Sequence, residues 1–194
     1  MKFPDPVVDI KDAISWFVAH TDEVNSEAPV KADSNNIFIM GHSAGAAILA
    51  SLILLPGLLP SDIKPRIRGA ILQAAVYHFD TKIPTLPPPV ISAYYGPPES
   101  VQKDCPQSLL RQASEDAVRS LPDVLLVVSE FDMPGVLESH ADFHKLLQER
   151  TGKEVEEVVI KGHNHITPHV ALYTGVGDEW AQGVVGWIKA KLPK

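Results

Sequence analysis

The stretch that most constrains this chain is Ile37-Phe38-Ile39-Met40-Gly41-His42-Ser43-Ala44-Gly45-Ala46-Ala47-Ile48. A short apolar run leads into Gly-x-Ser-x-Gly, and a long apolar run leads out. The layout is that of a strand, a sharp turn carrying serine, and a helix. Such a turn forces Ser43 into strained backbone geometry. Side chains at 41 and 45 are expected to collide with the neighbouring strand or helix, which glycine avoids. The turn puts a hydroxyl at the tip of a strand and at a helix N-terminus, where the dipole and free N–H groups favour negative charge. The N–H of Ala44 then serves as one donor to a developing oxyanion. The flanks argue against a chance loop: 37–40 is strand-like, and 46–55 is long and apolar enough for a buried helix.

Read in order, residues 5–20 form an amphipathic helix, with Ile10, Ala13, Ile14 and Phe17 at i, i+3, i+4 and i+7. Asp5 reads as its N-cap and Pro6 as its first residue. The polar segment 21–36 reads as a loop before the strand at 37–40. The helix after Ser43 should stop at Leu55, because Pro56-Gly57 follows. A second buried strand is read over 67–76. Residues 77–121 differ, with Pro84, Pro87, Pro88, Pro89, Pro97, Pro98 and Pro106 punctuating them and Tyr94 and Tyr95 between. They read as a loop-rich excursion with one or two short helices, foremost over 106–120. The excursion serves equally as a surface connection or as a cap that shapes a pocket. A third strand is expected at 124–129, a helix at 134–150 ended by Gly152, and a fourth strand at 155–160. Residues 162–177 read as loop with a helical turn at 168–173, and a last helix starts at Asp178. Apolar strands alternating with helices predict a single domain over 1–194. Its class is a three-layer α/β/α sandwich around a mostly parallel sheet. In such sheets the site lies beyond the carboxyl ends of the strands.

A serine hydroxyl needs a base to take its proton, and the base needs an orienting carboxylate. With this turn the order along the chain is Ser, acid, His. Asp132 leaves the third strand and enters a turn. Glu130, two residues earlier, is the alternative acid, and Asp132 sits deeper in the turn. Gly162-His163-Asn164-His165 follows the fourth strand, and His165 is preferred to His163 as the base. His42 is adjacent to Ser43 and is expected to point away from it, as a packing or supporting residue. His20, His78 and His169 read as ordinary surface or partly buried residues. His140 and His144 have the i, i+4 spacing of zinc-binding helix pairs, and His163, His165 and His169 offer further nitrogens. Position 141 is alanine, however, where such helices carry the catalytic glutamate. The pair therefore reads as a half-buried helix face, and no metal or cofactor is expected.

Composition narrows the classes of partner. The net charge is -7, which argues against nucleic acid or an anionic membrane. Hydrophobic residues make up 45% and charged residues 21%, enough apolar material for a core. The sole cysteine, Cys105, leaves no internal disulfide and suits a reducing, cytoplasmic setting. No signal peptide opens the chain. The longest apolar stretch, 44–59, is interrupted and falls short of the about 20 residues a membrane span needs.

These residues resemble the α/β-hydrolases, and within them the esterase and arylformamidase (kynurenine formamidase-like) branch. The resemblance rests on Gly41-His42-Ser43-Ala44-Gly45 with Ala46-Ala47, on Ser129-Glu130-Phe131-Asp132, on Gly162-His163-Asn164-His165-Ile166, and on Asp9, Asp12, Ala13 and Trp16 of the first helix. It implies Ser43 as nucleophile, His165 as general base then acid, and Asp132 as the orienter of His165. It implies a small carboxylic ester or aryl amide as substrate, cleaved through an acyl-enzyme. In that branch a His-Gly-Gly segment ahead of the first helix supplies a second oxyanion donor, and this chain has no Gly-Gly dipeptide. The expectation is a truncated α/β-hydrolase fold whose first strand forms an exposed edge open to self-association. Catalysis would then rest on the Ala44 N–H alone, at a cost of about 10²–10³ in rate. The alternative expectation is a weakly active or non-catalytic binding module on the same fold.

Overall fold

A computed structural model describes residues 2–193. Helix α1 (Asp5–Ala19) starts one position earlier than expected. Pro4 is the N-cap, so Asp5 and Pro6 are its first two residues. Val7 on its inner face is fully buried, and Ile10 and Ile14 pack beside it. Residues 21–36, read as loop, contain a second helix, α2 (Thr21–Glu27). It has no apolar period to reveal it and is held by polar side chains. The Thr21 hydroxyl donates to the Phe17 carbonyl at 2.8 Å. The Asn25 amide both donates to and accepts from the Ala32 backbone, at 2.9 and 2.7 Å.

Strand β1 (Ile37–His42) leads into helix α3 (Ala44–Leu54), and strand β2 (Ile67–Gln73) follows. The proline-rich excursion is more helical than its sequence suggests. It holds α4 (Pro88–Tyr95), α5 (Pro98–Asp104), α6 (Pro106–Gln112) and α7 (Glu115–Arg119). The prolines at 88, 98 and 106 begin helices rather than interrupt them, because the first turn has no intrahelical use for the missing N–H. Ala113, in extended geometry, splits the helix expected over 106–120 in two. The rest is strand β3 (Asp123–Phe131), helix α8 (Pro134–Thr151), strand β4 (Glu156–Asn164), α9 (Thr167–Ala171) and α10 (Glu179–Lys191). Gly152 ends α8 in the left-handed conformation, φ 65°.

The four strands form one parallel sheet in the order β1-β2-β3-β4, with β1 at an edge. Helices α1, α3, α6 and α8 cover one face. Leu49, Leu52, Leu72, Leu110, Leu126 and Phe143 meet there in the main core. Helix α10 covers the other face, where Trp180, Val184 and Trp187 pack on Ile71, Leu125, Val127 and Ile160. Each such side chain contributes about 1.5–3 kcal/mol relative to exposure. Both faces are covered, as a parallel sheet of near-continuous apolar strands requires.

Gly69 in β2 lets α10 approach. A Cβ there would stand 2.7 Å from both the Phe38 ring and the Trp187 ring. Phe38 and Trp187 meet edge to face at 6.0 Å, so neither ring has free room to retreat. Gly69→Ala is expected to cost about 1–3 kcal/mol of stability by overpacking. Urea unfolding of the two proteins measures it, and equal midpoints would show that α10 is not seated this closely.

Candidate active site

The turn between β1 and α3 is held by one main-chain bond and one missing side chain. Ser43 has φ 55° and ψ -122°, a strained conformation for a non-glycine residue. Its N–H donates to the Gln73 carbonyl of β2 at 2.8 Å. A Cβ at Gly41 would lie 2.8 Å from the Ala46 nitrogen and from the Gly45 carbonyl group, all rigid backbone. The expectation for Gly45 does not hold: a Cβ there meets nothing within 4 Å. Strand β2 stops at Gln73, short of the expected 76. Ala74 turns into positive φ, 51°, while its N–H donates to the Val127 carbonyl at 2.8 Å.

The carboxyl ends of β1, β3 and β4 bring Ser43, Asp132 and His165 together. The Ser43 hydroxyl donates to His165 Nε2 at 2.9 Å. His165 Nδ1 donates to Asp132 Oδ1 at 2.9 Å. The Asp132 side chain is fully buried, and Oδ1 also accepts from the Met133 N–H at 2.9 Å. Asp132 Oδ2 has no hydrogen-bond partner among the described residues. A buried carboxylate held this way fixes the imidazole's tautomer and supports its positive form. His165 sits in a tight turn past β4, where Asn164 Oδ1 accepts from the N–H groups of Ile166 and Thr167 at 3.0 and 3.1 Å. The Ala44 N–H, the first of α3, lies where a helix has no internal partner for it.

The competing residues sit elsewhere. Glu130 Oε2 accepts from the Gly162 N–H at 2.9 Å and Oε1 pairs with Lys161 at 3.3 Å. Those two contacts hold its carboxyl below the usual range. Glu130 thus ties β3 to β4. His163 Nδ1 faces the Thr167 hydroxyl at 3.0 Å, away from Ser43. His140 is buried against Glu157 at 2.7 Å, and His144 Nε2 donates to the Val155 carbonyl at 2.9 Å. Among the described residues no three His, Cys, Asp or Glu side chains are grouped to hold a metal ion. His78 lies beside Asp142 at 3.2 Å, and His20 donates to the Trp16 carbonyl at 2.8 Å. His42 packs beside the site and makes no hydrogen bond to Ser43 among the described residues. It lies against His165, its Nε2 donating to the His165 carbonyl at 2.9 Å. His169, read as ordinary, packs on His42 with ring centroids 4.4 Å apart. Neither arrangement has a sequence signal, because both join residues more than 100 positions apart.

A cavity of about 260 Å³ opens beside Ser43 and Ala44. Ile48 and Val76 form its floor, and Phe79, Ile91, Tyr94, Tyr95 and Met133 form its walls. Most of that wall comes from the excursion, chiefly α4. Burial raises the titration of both tyrosine hydroxyls above the ordinary phenol value.

Two outcomes follow from this geometry. Gly41→Ala should cost about 1–3 kcal/mol, because only backbone can move aside. Urea unfolding reads this, and wild-type stability would show that the turn has slack. The second concerns acid. Burial pulls His42, His140 and His169 below 6.5, the ordinary histidine value. The folded state therefore binds fewer protons than the unfolded chain just below that value. Stability is full above it and is lost as the pH falls toward the lower folded values. Urea midpoints at about pH 7.5 and about pH 5.5 should differ in that direction, and His140→Gln should narrow the gap.

The chain matches the family model described as the alpha/beta hydrolase fold over residues 1–169. It is 27% identical over 139 residues to the kynurenine formamidase of Salmo salar, covering 68% of this chain and 44% of that protein. It is 25% identical over 119 residues to the kynurenine formamidase of Danio rerio, covering 59% and 37%. The chain thus spans less than half the length of these curated relatives. Among solved structures, carboxyl esterase 2 of Tuber melanosporum superposes with a TM-score of 0.73 at 20% identity, over 100% of this chain and 64% of that one. With the sheet, the strand-turn-helix at Ser43 and the family-model match in agreement, the chain belongs to the α/β-hydrolase fold family.

Proposed function

We propose that this chain carries a serine hydrolase site that cleaves a small carboxylic ester or aryl amide through an acyl-enzyme. The observation that carries the reading is the continuous line Ser43 Oγ, His165, Asp132, with two hydrogen bonds of 2.9 Å. In this reading His165 Nε2 takes the hydroxyl proton as Ser43 Oγ attacks the substrate carbonyl. Asp132 holds the imidazolium at Nδ1. The oxygen that gains charge faces the Ala44 N–H at the start of α3. Collapse breaks the bond to the leaving alcohol or amine, which receives its proton from His165. Water, deprotonated by the same nitrogen, then attacks the acyl-Ser43 ester and releases the acid.

The cavity supports an apolar substrate group, since aromatic and aliphatic side chains dominate its wall. The Ala44 N–H is the oxyanion donor assigned in this reading. The test is hydrolysis of a short-chain nitrophenyl ester by wild type and Ser43→Ala. Turnover above background by wild type, falling to background in the variant, is the expected result. Equal rates would remove Ser43 from the chemistry and leave the fold as a binding module.

A further inference from the structure

We propose that His42 is a positioning residue that holds His165 against Asp132 through the stage at which Ser43 no longer can. The inference rests on the hydrolase reading above and deepens it. The loop bearing His165 is tied to the turn bearing Ser43 by two bonds. One is Ser43 Oγ to His165 Nε2, at 2.9 Å. The other is His42 Nε2 to the His165 carbonyl, also 2.9 Å. The first bond is consumed by the reaction. Once Ser43 Oγ carries an acyl group it has no proton to donate, and its hold on the imidazole ends. The second bond is untouched by the chemistry, because it joins a neighbouring side chain to main chain.

His42 is built to keep that bond. Its ring stands against two others, His165 with centroids 4.6 Å apart and His169 at 4.4 Å. His169 in turn stands edge to face on Trp180 of α10, at 6.1 Å. Trp180, His169, His42 and His165 thus form a continuous series of ring contacts that ends at the base. Burial, with His169 and His165 close by, holds the His42 imidazole below its usual range. Neutral His42 with its proton on Nε2 donates to the carbonyl and places no positive charge beside His165 as that ring becomes imidazolium.

Deacylation needs His165 in place to take a proton from water, and it is the step that runs without the Ser43 bond. Loss of the His42 donor should therefore slow deacylation more than acylation. The test compares His42→Gln, which keeps an amide N–H at similar reach, with His42→Met, of similar length but without a donor. His42→Phe, which keeps a flat ring, is a second donor-free variant. Far-UV circular dichroism and urea unfolding establish that each is folded. On a nitrophenyl ester, His42→Met should lower kcat about 10-fold while KM falls with it, and should show a burst of nitrophenol as acyl-enzyme accumulates. His42→Gln should recover most of kcat. Equal kcat in His42→Met and wild type overturns the proposal, as does damage in His42→Gln as large as in His42→Met.

Ser43→Ala measured beside them separates the two ideas. A variant as active as wild type ends the hydrolase reading itself. A readout that needs no turnover covers that case: the far-downfield NMR proton of His165 Nδ1 shared with Asp132. Measured in the Ser43→Ala background, where the Ser43 bond is absent, it should be present with His42 or His42→Gln and lost or broadened with His42→Met and His42→Phe. An unchanged signal in the donor-free variants overturns the positioning role.

Discussion

The site depends on one main-chain hydrogen bond, from the Ser43 N–H to the Gln73 carbonyl. It joins the end of β1 to the end of β2 at the point where Ser43 takes a positive φ of 55°. A non-glycine residue in that conformation is costly, by about 1–3 kcal/mol, and persists only where its surroundings over-determine it. Here the surroundings are the parallel register of β1 on β2 and the backbone contact that Gly41 permits. The strain is thereby supported by the whole sheet, and the hydroxyl faces His165 without a further anchor.

The other two residues are held by the same logic of adjacent strand ends. Asp132 leaves β3 and His165 leaves β4, and the Glu130 carboxylate bridges the two strands just before they part. A carboxylate two residues from the buried one thus has a mechanical part, not a chemical one. Its pairing with exposed Lys161 is worth little alone. Its bond to the Gly162 N–H matters more, because it replaces a ladder bond where the register shifts between Ser129 and Phe131.

Much of this was legible in the sequence, for stated reasons. Gly41 and Ser43 announce the turn because few residues fit it. Asp132 and His165 follow from strand ends and chain order. Four strands and the long helices follow from apolar runs and from Pro and Gly at their ends. Helix α2 was not legible, since its stability comes from Thr21 and Asn25 bonding to backbone and not from an apolar face. The four helices of the excursion were obscured by prolines that begin helices as readily as they end them. Gly45 was credited with a steric duty that the packing does not impose. The placement of His42 was beyond any local pattern, because its partner lies 123 positions along the chain.

The cavity wall has a bearing on how such a site can change. Helix α4 contributes Val90, Ile91, Tyr94 and Tyr95 to the wall, yet none of its residues is buried in the core. Exchanging one of them alters the shape offered to a substrate while leaving the sheet and its two covering layers intact. Cavity shape and foldability are thus carried by different parts of the chain. A lineage can reshape the cavity through α4 while Ser43, Asp132 and His165 stay where the strands put them.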